Sequence, residues 1–147
     1  MTPLDAYIRQ DGIRYFTAAE LVQPHKGVPA QALWPNILGA LRIADAIRVA
    51  YGAPVRVVSG FRSREYNAKV GGSKKSMHME FRALDLAPAN GDIEGLRPFA
   101  EAAVFAARKA GVNVGFGQYD TFVHIDTGAP TGRNRSWDER GNKGAGR

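Results

Sequence analysis

Two short segments limit what this chain can become. In Ala83-Leu84-Asp85-Leu86-Ala87 and in Thr121-Phe122-Val123-His124-Ile125-Asp126 the side chains alternate, as on strands whose two faces meet different surroundings. Leu84 and Leu86 share one face of the first, while Asp85 stands between two alanines on the other. Phe122, His124 and Asp126 share one face of the second, and Val123 and Ile125 the reverse. Each strand therefore needs an apolar cover on one side and offers polar chemistry on the other. As near neighbours in one sheet they would bring Asp85 and His124 within reach of one ion. His78, in the loop ahead of the first strand, can complete a set of two imidazoles and one carboxylate. Such a set suits zinc and leaves a fourth position for water.

The rest of the chain reads as a frame for these strands. A helix is expected over 35–51, with Pro35 in its first turn, Gly52 at its end and Ile37, Leu38, Leu41, Ala44 and Ile47 near helical spacing. Thr17-Ala18-Ala19-Glu20 has the form of a capping box, opening a short helix that Pro24 ends, and 24–30 reads as a loop. Residues 1–16 carry little pattern beyond apolar side chains that can pack as an arm. A strand is expected over 54–59, a helix over 64–70 capped by Ser63, a loop over 88–95 and an alanine-rich helix from Pro98 to Ala110. Strands over 112–116 and 121–126 form a hairpin. Beyond Thr127, Trp137 is expected to anchor part of a Gly- and Arg-rich tail, with 139–147 disordered, so that the domain spans 1–138. Helices that alternate with strands, closing on a hairpin, predict one α+β domain with a mixed, mainly antiparallel sheet.

The absence of cysteine excludes disulfides and thiolate sites, so any metal must rest on histidine and carboxylate. No apolar run approaches the roughly 18–20 residues that span a bilayer. The first residues show no basic segment followed by an apolar one, so the expectation is synthesis in the cytoplasm without a signal peptide. A net charge of +6 suits either an anionic partner or plain solubility. The basic residues are scattered rather than gathered in a stripe, which argues against nucleic acid as a partner.

Three blocks carry a family resemblance. They are Ser59-Gly60-Phe61-Arg62-Ser63 with Tyr66-Asn67 and Val70-Gly71-Gly72; Ser76-x-His78 closed by Ala83-x-Asp85; and Val114-Gly115-Phe116-Gly117 followed by Phe122-Val123-His124-Ile125-Asp126-Thr127-Gly128. In order and spacing they resemble the zinc D-alanyl-D-alanine carboxypeptidases, peptidoglycan peptidases whose fold is shared with the hedgehog signalling domain. Arg135-Ser136-Trp137 adds a likeness to the murein endopeptidase and phage or prophage branch. The resemblance implies Zn2+ held by His78, Asp85 and His124, and Arg62 binding a substrate carboxylate. It implies a monomeric carboxypeptidase or endopeptidase that cuts a bond involving a D-amino acid in peptidoglycan stem peptides. Ser76 would hold substrate or orient the His78 loop. Access to the wall would come through a phage lysis system, a virion or a nonclassical exit. A catalytically silent zinc-binding virion or tail domain of the same fold is the alternative.

The chain departs from the family pattern twice. Phe81 stands where a glycine is usual, so either the backbone there is not glycine-like or the loop is rearranged, and the ring could wall the substrate cleft. Thr121 stands where some members carry an acid as general base. Asp126 is then the first candidate base, Asp120 the second and Glu80 the third; Asp126 could equally serve to orient His124.

Overall fold

A computed structural model describes residues 1–141. In chain order the elements are α1 (Pro3–Gln10), α2 (Ala18–Leu21), α3 (Leu38–Tyr51), β1 (Val55–Ser59), α4 (Arg64–Lys69), β2 (Ala83–Pro88), α5 (Ile93–Lys109), β3 (Val114–Gln118), β4 (Val123–Thr127) and β5 (Arg135–Asp138). Short 3-10 turns cover Pro24–Lys26, Gln31–Ile37 and Met77–Glu80. One five-stranded sheet has the order β1-β2-β4-β3-β5. All its pairs are antiparallel except β3 with β5. The mixed, mainly antiparallel α+β fold expected from the sequence is the one observed.

The alternation in the two strand segments becomes the two faces of this sheet. Leu84, Leu86, Val123 and Ile125 are fully buried together with Leu41, Ala44 and Ile47 of α3 and Leu96, Ala100 and Val104 of α5. Register sets Asp85 opposite His124 and Ala83 opposite Asp126. The polar side chains of β2 and β4 therefore lie side by side on the opposite face. Both strands are buried along their whole length, so each face is covered.

Several elements differ from the sequence expectation. The N-terminal arm contains a helix: Thr2 and Asp5 form a reciprocal capping box with Pro3 in the first turn, and Leu4 and Ile8 turn into the core. The helix expected over 35–51 enters through a 3-10 turn and becomes α-helical only at Leu38. Helix α5 starts at Ile93, ahead of Pro98, because Asp92 caps it by accepting from the Gly95 N–H. Pro98 forfeits one bond, to the carbonyl of Glu94, a residue exposed in the first turn. The tail after Thr127 contains β5, which pairs with β3 through a parallel register. Glu139 donates its N–H to the Gln118 carbonyl; residues 142–147, the rest of the expected tail, lie outside the described residues.

Phe81 resolves its own question. Its backbone is left-handed, at φ 56° and ψ 43°, so the glycine-like conformation is kept by a bulky residue. The ring does not wall a cleft. It is fully buried and meets Phe61 edge-on with centroids 5.9 Å apart, and this packing offsets the backbone cost.

Candidate metal centre

The loop that carries His78 is built to aim its ring. Ser76 caps the 3-10 turn over Met77–Glu80, its hydroxyl accepting from the His78 N–H at 3.2 Å. The ring's Nδ1 lies 2.7 Å from the Gly60 carbonyl. A carbonyl can only accept, so Nδ1 donates to it, and Nε2 is the ring nitrogen left to face Asp85 or an ion. Nε2 points to Asp85, 3.2 Å from Oδ2. From the other side His124 Nδ1 approaches Asp85 Oδ1 at 2.9 Å. The ligand atoms of His78, Asp85 and His124 all lie within 4.8 Å of one another, and all three residues are buried. Segments far apart in the chain meet because β2 and β4 are adjacent and the loop after α4 folds over their polar face.

Other groups brace the cluster. Arg62, 6% exposed, sets its guanidinium 3.6 Å from Asp85 Oδ2, and also donates to Ser59 Oγ at 3.1 Å and Asn67 Oδ1 at 3.3 Å. Asp126 Oδ2 lies 2.8 Å from His124 Nε2, the ring nitrogen remote from Asp85. The other oxygen of Asp126 accepts from Arg135. Burial raises the pKa of Asp85, but the charges and hydrogen bonds of His78 and His124 outweigh it and hold the carboxyl well below the usual range. Burial opposes charge on His124, yet its bonds to Asp126 and Asp85 dominate and raise its pKa to about 9. For Asp126 burial is again the opposing effect, and its partners His124 and Arg135 lower its pKa.

The cluster floors a cavity of about 260 Å³. Ser76, Tyr119, Phe122 and Trp137 contribute to its walls, and Lys75 and Arg135 bring positive charge. A second cleft of about 640 Å³ adjoins it, sharing Ser73, Lys75, Ser76, Met77 and Arg135. Of the site residues expected from sequence, His78, Asp85, His124, Asp126 and Ser76 converge here. Arg62 sits behind Asp85 rather than on the cavity wall. Glu80 faces the second cleft, where it accepts from Arg82, and Asp120 caps the Gly141 N–H on the outer hairpin. Sequence reasoning missed the Gly60 carbonyl, a backbone atom with no sequence signature. It also gave Arg135 no role, although alternate glycines in β3 signal a close approach at this point.

The donor set fits a divalent cation. Two imidazoles that each turn one nitrogen to one carboxylate, buried at the floor of a cleft, form the kind of centre that metal-dependent enzymes use. The model described as Peptidase M15 matches residues 14–126, and the chain belongs to this family of metallopeptidases. No curated protein matches the sequence. Among the described residues no helix is long and apolar enough to cross a membrane.

Proposed function

We propose that the protein is a zinc-dependent peptidoglycan peptidase, a carboxypeptidase or endopeptidase, that hydrolyses a peptide bond involving a D-amino acid. The observation that carries this reading is the buried His78–Asp85–His124 cluster at the floor of an open cavity with cations on its wall. His78 Nε2, an Asp85 oxygen and His124 Nδ1 would hold the ion. The ion would supply Lewis acidity, polarising a peptide carbonyl and making water a stronger nucleophile near neutral pH. The chain's own residues do the rest. Arg62 fixes Asp85, Gly60 fixes His78, and the aromatic wall formed by Tyr119, Phe122 and Trp137 holds the peptide and limits water. A substrate carboxylate reaching Arg62 would exchange with its bonds to Ser59 or Asn67, whereas Lys75 and Arg135 already face the cavity. The enzyme acts as a monomer on stem peptides and reaches the wall through phage lysis or as part of a virion.

One observation favours the silent-domain alternative. Among the described residues the carboxylates on the cavity wall are Asp85 and Asp126, and both oxygens of Asp126 are engaged, by His124 and Arg135. Its geometry suits orientation of His124 more than proton transfer. Digestion of purified peptidoglycan, followed by mass analysis of the muropeptides, separates the readings. The peptidase releases new amines, stops with chelator and resumes with zinc, and the masses name the bond. One equivalent of bound zinc with unchanged muropeptides would leave only the silent domain.

A further inference from the structure

The glycines of β3 face the metal cluster, and they leave room for side chains from the edge strand. Register aligns two rows across the polar face of the sheet. In one, Arg135 of β5, Gly115 of β3, Asp126 of β4 and Ala83 of β2 stand side by side. In the other the order is Trp137, Gly117, His124 and Asp85. A Cβ at Gly115 would overlap the Arg135 guanidinium and the Asp126 carboxylate, and one at Gly117 would overlap the Trp137 indole. The two gaps let side chains of β5 cross β3 and touch β4. Arg135 reaches Asp126, and the Trp137 ring lies with its centroid 5.2 Å from that of His124. Trp137 Nε1 also donates to the Tyr119 hydroxyl at 2.8 Å. Arg108 of α5 clamps the edge strand by donating to the carbonyls of Val114 and Arg135, at 2.9 and 2.8 Å, and to Ser136 Oγ. All of β5 lies beyond residue 126, where the family match ends.

We propose that Arg135 is a positioning residue of the metal centre: it holds Asp126, and Asp126 holds His124 Nε2, so that Nδ1 stays turned toward Asp85. A histidine ligand needs its second nitrogen fixed, and a carboxylate that fixes it needs an orienting partner of its own. Here the partner comes from a strand outside the family match. Without Arg135 the Asp126 carboxylate can rotate, and the His124 ring loses the restraint that sets which nitrogen faces the ion. The inference rests on reading His78, Asp85 and His124 as a metal site, and it is independent of which bond is cut.

The test measures metal binding, so a failure of peptidase activity cannot be mistaken for its failure. Zinc affinity is measured by chelator competition, and the ligand field by the visible spectrum of the Co2+-loaded protein, for wild type, Arg135→Ala, Asp126→Ala and the double variant. Arg135→Ala is expected to bind zinc about 10–100-fold more weakly, with a changed Co2+ spectrum and a native far-ultraviolet circular dichroism signal. The double variant is expected to be no worse than Asp126→Ala, because the two residues act in series. Arg135→Lys is expected to recover part of the loss. Arg135→Gln, uncharged and similar in length, replaces the alanine variant if that does not fold, and the same loss is expected. Wild-type affinity and spectrum in the Arg135 variants, or losses that add in the double variant, would overturn the assignment. A wild-type chain that binds no zinc would overturn it together with the metal reading beneath it.

Discussion

The two faces of β4 are both buried and are held in opposite ways. Val123 and Ile125 are fully buried among apolar side chains of the sheet and helices. His124 and Asp126, on the reverse, are buried among Asp85, Arg135 and Trp137. The first face gains free energy by leaving water. The second loses hydration and recovers it only through charge pairs and charge-assisted hydrogen bonds, whose net contribution to stability is small. The apolar face should therefore decide whether the chain folds, and the polar face what the folded chain can bind.

The largest effect expected from this contrast is on metal binding. Asp85→Asn or His124→Ala should weaken zinc by more than the ~10–100-fold typical of an orienting residue, while far-ultraviolet circular dichroism keeps the native signal. Chelator competition beside the spectrum checks it; a collapsed spectrum in both would mean that the polar face also holds the fold. Next comes the reverse side of the same strand. Ile125→Ala should cost about 2–5 kcal/mol in denaturant unfolding, with zinc affinity of the folded fraction unchanged. Affinity falling as far as in Asp85→Asn would erase the distinction between the faces.

Phe81 tests whether an apolar side chain can outweigh strain at the edge of the site. Losing the buried ring costs about 3–5 kcal/mol and relieving the left-handed backbone returns about 1, so Phe81→Gly should be destabilised by about 2–4 kcal/mol. A variant more stable than wild type would show that the backbone cost dominates. A last effect concerns pH in the metal-free chain. The pKa of His124 is raised in the folded state to about 9, so its contribution is fully present below the unfolded value near 6.5 and is lost as pH rises toward 9. Asp85 and Asp126, whose pKa values are lowered, contribute unchanged across that window. Melting temperature in chelator should thus decline between pH 6.5 and 9, and a His124→Ala chain should lose that slope.

What could be read in advance follows the same division. Period-two alternation put Asp85 and His124 each on the polar side of its own strand, because side-chain direction on a strand is fixed by position, and the β2–β4 register then set the two side by side. The residue pattern already offered His78 as the third ligand of a zinc site, and the family blocks added weight to both. The N-terminal helix was written in Thr2-Pro3-Leu4-Asp5, a capping box with Asp in place of the usual Glu or Gln, and so easily passed over. The start of α5 was hidden because Pro98 looks like a first-turn residue while Asp92 is the real cap. Strand β5 was illegible from its own four residues. It exists because β3 offers it an edge and Arg108 clamps it, both of them tertiary facts. Asp126 was found, but its partner nitrogen on His124, remote from Asp85, depends on a ring orientation that only coordinates supply.

One cation shared by His78, Asp85 and His124 would make this cluster a metal centre. Crystals grown with zinc, measured on both sides of its absorption edge, test this directly. The predicted result is a single anomalous peak about 2.0–2.2 Å from His78 Nε2, an Asp85 oxygen and His124 Nδ1. An empty cluster at saturating zinc, or a peak held by other side chains, would contradict it.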